Sequence, residues 1–369
     1  MKDFRFALLG MVFLFFLLFS CSNGDELFDE LVTVEEVKTD GEVTEAKEPA
    51  ESEKPEDENG EEEEFAEIIE KPVFLGCEAV SGTEIIFEFS LPVRVVNLDF
   101  IPGVEIDTIE EGSIVKVNLL HGLLPGQHLE ADFKVEDDYG NSIEMSLPFY
   151  SKNNRVPVLQ INELRTEYSG PSSRAEFIEF KMKSDGNLGA LRVFVASNNK
   201  NPLVYEFKPV EVKEGEYVVL HMRTLSDLCK DEYGEDLDES GGTDSCPTAR
   251  DFWIPGSTKL LRKTDAVYVL DQNNNVLTAI MLVEKLSPLW EKPHFAKAAE
   301  FLFSQGAWMS AEGGIPSPID AVNSTGIGSA LTRSISKNEA VEDTGSAASW
   351  YITATGGVTP GLPNNPKRL

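Results

Sequence analysis

Three glutamates stand where acid–base chemistry would need them. Glu163 lies in the run Gln160-Ile161-Asn162-Glu163-Leu164, and Glu176 and Glu179 bracket Phe177 and Ile178. Two carboxylates in one cleft, one protonated and one ionised, can give and take a proton on the same substrate. A second acidic set lies between Cys229 and Cys246 and comprises Asp231, Glu232, Glu235, Asp236, Asp238, Glu239 and Asp244. Carboxylates this dense need a counter-ion or full solvation, and calcium takes roughly six to eight oxygen ligands in flexible loops. Asp236, Asp238, Ser240 and Gly241 match the first half of an EF-hand loop, but Pro247 stands where the closing glutamate belongs. Calcium held by Asp231, Asp236, Asp238, Ser240 and Asp244 is thus one expectation, and a solvated acidic loop is the other.

Other reactive patterns are lacking. The four histidines, His121, His128, His221 and His294, are scattered, and His121 and His128 bracket a Gly/Pro turn as exposed loop residues would. There is no HExxH, no G-x-S-x-G elbow, no Walker loop and no dinucleotide fingerprint. The three glutamates therefore read as structural, and the expectation is a chain that is not an enzyme. Cys229 and Cys246 can pair across their short loop if the chain is exported. Cys77 is then left over as a small buried hydrophobe.

The N-terminus argues for export. Lys2 and Arg5 precede an apolar run from Phe6 to Phe19, then Ser20 and Cys21. This is the layout of a secretory signal, and the run is shorter than the about 20 residues a membrane span needs. Leu18-Phe19-Ser20-Cys21 resembles a bacterial lipobox, with Phe19 where a small residue is usual, as in the relaxed form seen in spirochaetes. The resemblance implies that residues 1–20 are removed and that Cys21 carries acyl chains, so the chain is tethered to a membrane and not threaded through it. Ser22 is not the Asp that retains lipoproteins at the inner membrane, which points to the outer membrane, on its surface or periplasmic face.

Charge narrows the partners. The net charge is −32, and residues 22–70 alone hold 21 acidic and 3 basic residues. Such a stretch cannot bury enough apolar surface to offset its ordering entropy, so residues 21–70 read as a disordered acidic tether. An acidic tether and an acidic first domain repel phosphate backbones, which excludes nucleic acid as a partner.

Beyond the tether the pattern is strands. Ile85, Phe87 and Phe89 alternate with Glu84, Glu88 and Ser90; Leu129, Ala131, Phe133 and Val135 alternate with Glu130, Asp132, Lys134 and Glu136. Ile143, Met145, Leu147 and Phe149 repeat the pattern after the turn Asp138-Tyr139-Gly140-Asn141. Period two with one apolar face predicts half-buried antiparallel strands, about seven over residues 71–151. The stretches "SGTEIIFEFSLPV" and "LLPGQHLEADFKVEDDYGNSI" resemble bacterial Ig-like domains of surface-layer proteins, which implies a β-sandwich there.

A polar join, residues 152–157, leads to the second part. The opening Ile161-Asn162-Glu163, the strand Glu176-Phe177-Ile178-Glu179-Phe180, the step Leu331-Thr332-Arg333 and the closing Thr359-Pro360-Gly361-Leu362-Pro363-Asn364 together resemble the lamin-tail domain. The resemblance implies an Ig-like sandwich over residues 158–366. Glu216–Met222 reads as a strand, and the runs 266–270 and 276–283 as a hairpin around Asp271–Asn275. Asp227–Asp251 and Pro288–Ser310 exceed a minimal lamin-tail domain and read as loop insertions, the second with helical character over 296–303.

The expected architecture is therefore all-β: two Ig-like β-sandwich domains in tandem after a disordered acidic tether. The expected function is a non-enzymatic binding or scaffolding module, lipid-anchored at the cell envelope, with a protein or glycan ligand. Trp253 and Trp308, in the insertions, are the candidate partner-binding residues, as is Trp290; Trp350 belongs to the core. Two alternatives stand beside this reading: an accessory or enzymatic part of a secreted hydrolase system, and a purely structural envelope component.

Overall fold

The computed structural model describes residues 70–341 and 343–369. The signal segment, Cys21 and the acidic tether to residue 69 lie outside the described residues. Residues 74–150 form six strands: β1 (Phe74–Ala79), β2 (Glu84–Ile101), β3 (Ile106–Glu110), β4 (Gly112–Leu119), β5 (His128–Glu136) and β6 (Ser142–Tyr150). The count falls short of about seven because β2 runs unbroken through two sheets. Its first half pairs with β1 and β4, and its second half pairs with β5. Alternation sets the register: Ile85, Phe87 and Phe89 on β2 face inward with Leu129, Ala131, Phe133 and Val135 on β5. The Phe87 and Phe133 rings meet edge to face at 5.2 Å. Cys77 packs half-buried against this core, and burial pushes its thiol up to about 12.

The β5–β6 turn is closed by Asp137, whose Oδ1 accepts the N–H groups of Tyr139 and Asn141. Asp271 repeats the device at the 271–275 turn, accepting from Asn273 and Asn275. Aspartate forms such turns because its short side chain reaches its own backbone two residues on.

The second part contains β7 (Leu159–Arg165), β8 (Phe177–Met182), β9 (Gly186–Asn187), β10 (Arg192–Val195), β11 (Leu203–Glu206), β12 (Glu211–Val212) and β13 (Tyr217–His221). It continues with β14 (Ala249–Trp253), β15 (Asp265–Leu270), β16 (Val276–Val283), helix α1 (Pro293–Ser304), β17 (Val322–Asn323), β18 (Ile335–Lys337) and β19 (Trp350–Ile352). One sheet runs β14-β13-β8-β7-β18-β19, another β11-β10-β15-β16-β17, and β9 pairs with β12. The predicted 266–270/276–283 hairpin is β15–β16. One large core joins these sheets, with Ile161, Phe180, Leu220, Val267 and Ile280 among its buried members.

The two insertions have structural duties. β14 lies parallel to β13, and parallel neighbours need a crossover; the chain from residue 222 to 248 is that crossover. The end of the supposed first insertion is thus a sheet strand. In the second, α1 starts with Pro293 and buries Phe295, Ala298, Ala299 and Leu302. That spacing makes one apolar stripe, which packs on β15 and β16.

Candidate functional site

Glu163, Glu179, His221 and Asp251 lie on one face of the β14-to-β19 sheet, alternating along their strands with Leu164, Ile178, Leu220 and Phe252 of the large core. The register between β7 and β8 slips between Ile161 and Glu163, and such a bulge re-aims side chains. Beyond it Glu163 and Glu179 are direct cross-strand partners. Like charges so placed destabilise a sheet unless something else holds them. Here the C-terminal segment holds them. Glu163 accepts the Thr359 N–H at 3.0 and 3.1 Å, the Thr359 hydroxyl at 3.3 Å, and the Ser334 hydroxyl. Glu179 accepts the Gly361 N–H at 2.6 Å and the Asn162 side-chain amide at 2.8 Å. Asn364 then donates its amide to the Asn162 and Lys337 carbonyls.

Both carboxylates are fully buried. Burial pushes Glu163 up to about 7, opposed by the Ser334 hydroxyl and by Thr359. Glu179 is raised well above the carboxylate range, first by burial and then by the charge of Glu163, against the Asn162 amide and the Gly361 N–H. Both carboxyls are raised, and both are 0% exposed beneath the 359–364 strap. The carboxylates bind the strap to the sheet, Glu163 at Thr359 and Glu179 at Gly361.

Glu176 has a different partner. Arg223 grips it with two N–H···O bonds of 2.7 and 2.6 Å, both side chains buried. The same guanidinium donates to the Ser257 carbonyl and lies 3.8 Å from the centre of the Tyr168 ring. Further along the sheet His221 Nε2 meets Asp251 Oδ1 at 2.8 Å, and the His221 ring stacks on Trp253 at 3.7 Å. Asp251 also accepts the Cys246 N–H, and its own N–H donates to Glu232. Neither Arg223 nor the His221–Asp251 pair was picked out from sequence. A polar residue closing the apolar run Tyr217–Leu220 is the signal that could have marked His221.

The acidic crossover does not form the expected calcium site. Asp231 accepts the Trp253 N–H at 2.7 Å and the hydroxyls of Tyr205 and Tyr233. Asp244 is bound to the buried Arg165 guanidinium. Ser240 accepts the Trp253 indole N–H at 2.9 Å, and Asp236 accepts the Asp238 N–H. Asp231, Asp244 and Ser240 are thus each turned to protein donors of different parts of the fold. Among the described residues no three His, Cys, Asp or Glu side chains converge to hold a metal ion. The residues present do not fit calcium.

The thiols and indoles also depart from expectation. Cys229 and Cys246 are free. Cys229 faces Ser226, whereas Cys246 turns to the Thr248 hydroxyl, so each sulfur has a different neighbour and no bridge forms. Trp253 is 4% exposed and Trp308 is 0% exposed, so neither meets a partner. Both pin their loops to the fold, Trp308 through an N–H to the Asp320 carbonyl. Trp350 is core, as expected. In and flanking the second insertion, exposed apolar side chains are Leu289, 78% exposed, Ile319, 65%, Leu286 and Ile315. The Trp290 indole N–H, bonded to the Pro316 carbonyl at 3.0 Å, ties the two loops that carry them.

Comparison with known proteins now places the chain. An uncharacterized protein of Treponema pallidum (strain Nichols) is 29% identical over 220 residues, 56% of this chain and 54% of that protein. The chain thus spans about half the length of this curated relative. Among solved structures, the N-terminal part of the bacterial S-layer protein SbsC shares 12% identity at a TM-score of 0.22, covering 58% of this chain and 44% of that one. A DUF4876 family protein from Bacteroides thetaiotaomicron VPI-5482 shares 11% identity at a TM-score of 0.26, covering 78% of this chain and 90% of that one. Residues 157–352, more than half of the chain, match the family model TP_1001_2nd, described as a protein second domain. That segment carries Glu163, Glu176, Glu179, Arg223 and the His221–Asp251 pair, and the chain belongs to this second-domain family.

Proposed function

We propose that this chain is a lipid-anchored protein of the bacterial cell envelope whose β-rich part is a binding or scaffolding module and not an enzyme. One observation carries the reading. The groups able to do acid–base chemistry are committed to holding chain segments together: Glu163 and Glu179 to the C-terminal strap, Glu176 to Arg223, and Asp251 to His221 and the crossover. Among the exposed aliphatic side chains of the second part, Leu286, Leu289, Ile315 and Ile319 are the surface assigned to a partner in this reading. The membrane assignment rests on Lys2, Arg5, the run Phe6–Phe19 and Cys21, and a relative from a spirochaete suits the relaxed lipobox. The motif resemblance supports lamin-tail character for residues 158–366.

Labelled palmitate in growing cells tests the anchor. Incorporation that disappears in Cys21→Ala supports it, and absence of label from the wild-type chain removes it. Protease shaving of intact cells then separates two sites of action. Cleavage in intact cells places the module at the surface, and protection until lysis places it in the periplasm. Hydrolysis of a generic esterase or nuclease substrate by the pure chain would overturn the non-enzymatic reading.

A further inference from the structure

The join between the two β parts was expected to be a polar linker, and linked β modules usually move relative to one another. The contacts at residues 151–157 are of another kind. Ser151, Asn153 and Pro157 are buried. On the side of the first part, Ser151 exchanges backbone and side-chain hydrogen bonds with Gln127, its N–H donating to the Gln127 carbonyl at 2.8 Å. On the side of the second part, Gln272 accepts the Asn153 N–H and donates to the Ser151 carbonyl, each at 2.7 Å. The Asn153 amide donates to the carbonyls of Asn187 and Gly189 at 2.8 and 2.9 Å. Arg155 pairs with Glu211 at 2.8 Å.

A direct contact bypasses the join. The Pro125–Gly126 backbone of the first part lies against the Gly189 backbone of the second. A Cβ on Gly189 would stand 2.1 Å from the Pro125 carbonyl oxygen, and one on Gly126 would stand 2.2 Å from the Gly189 carbonyl. Only glycine at both positions permits this approach. Beside it the Tyr150 hydroxyl donates to Glu206 at 2.5 Å.

We propose that the join is a fixed coupling, keyed by the Gly126–Gly189 contact, that makes the two β parts a single unfolding unit and holds whatever the second part binds at a set orientation to the first. Relative motion would require breaking the Gln272 and Asn153 bonds together, because both clasp the same short segment. The coupling stands whether or not the binding reading holds, since it depends on no ligand.

The test uses the full chain, by calorimetry and by limited trypsin digestion with mass spectrometry of the fragments. Lys152 and Arg155 are tryptic sites within the join. The expected wild-type result is one calorimetric transition and no early cleavage at either site. Gly189→Ala drives a methyl into the Pro125 carbonyl and should split the transition in two and raise cleavage at Lys152 or Arg155 by about tenfold, as the open form gains population. Gln272→Ala removes two join bonds without a clash and should move both readouts the same way, which keeps the test decisive if Gly189→Ala fails to fold. Two separate wild-type transitions, early wild-type cleavage at the join, or folded variants that leave both readouts unchanged would overturn the coupling.

Discussion

Glu179 on β8 accepts the backbone N–H of Gly361 at 2.6 Å, across 182 residues of chain. The bond joins the strand motif near the start of the second part to the closing motif near the C-terminus. Glu163 does the same for Thr359 one strand over. The strap therefore lies on two carboxylates that are themselves cross-strand neighbours, and each accepts a backbone N–H of the strap.

Removing one of these acceptors should loosen the strap. Glu179→Ala leaves the Gly361 N–H and the Asn162 amide without a partner in a buried place, at about 1–3 kcal/mol for each unmatched group. Urea unfolding should show that loss. Carboxypeptidase or chymotrypsin should also reach the C-terminal segment sooner in the variant than in the wild type. Unchanged urea midpoints would mean that the strap is held by other contacts.

Stability should fall as pH rises through the weakly acidic range. Asp265 is fully buried, and burial pushes its carboxyl from 3.8 to about 7 against donors from Ser197, Arg262 and Ala266. Glu163 is raised in the same direction. For an acid with a raised folded pKa, the unfolded chain loses its proton first. The folded state is therefore favoured most below about pH 4 and loses that advantage between about pH 4 and pH 7. The Asp265 share is on the order of 4 kcal/mol. Melting temperatures taken at pH 4.5, 5.5, 7 and 8 should decline and then level off, and Asp265→Asn should flatten the decline.

The strands were legible because alternation with one buried face is a local signal. Phe87 on β2 and Phe133 on β5 declared their faces from their neighbours alone, and the motif order brought Glu163, Glu179 and Gly361 into one reading. The carboxylate partners were not legible in detail. Asp231 and Asp244 look like metal ligands in sequence because spacing records density but not direction; their actual donors, Trp253 and Arg165, arrive from strands far along the chain. The tryptophans misled for a related reason. An indole in an insertion reads as an anchor for a partner, whereas Trp253 and Trp308 anchor the insertions themselves. The crossover role of residues 222–248 was hidden because parallel pairing of β13 and β14 leaves no local mark.

Arg223 should be the costliest cation to remove. Its two bonds to buried Glu176 leave an unpaired buried carboxylate if they are lost. Breaking one side of such a pair costs about 3–5 kcal/mol. Arg223→Ala should lower the unfolding free energy from urea titration by that amount. Arg223→Lys should recover only part of it, because an ammonium cannot reproduce the two-pronged geometry. Recovery to wild-type stability with lysine would show that charge alone holds Glu176.

Gly242 offers a test of the Trp253–His221 stack. A Cβ placed there would lie 2.3 Å from a Trp253 ring carbon. The ring cannot swing aside easily, since its N–H is bonded to Ser240 and its face is stacked on His221. Gly242→Ala should therefore cost about 1–3 kcal/mol, the range for forcing a methyl into a packed site. It should also shift tryptophan emission to longer wavelength as Trp253 leaves its buried seat. Trp253→Phe removes the clash along with the indole bond, so the double variant Gly242→Ala/Trp253→Phe should be no less stable than Trp253→Phe alone. A full additive loss in the double variant would place the strain of Gly242→Ala in the crossover backbone and not against the ring.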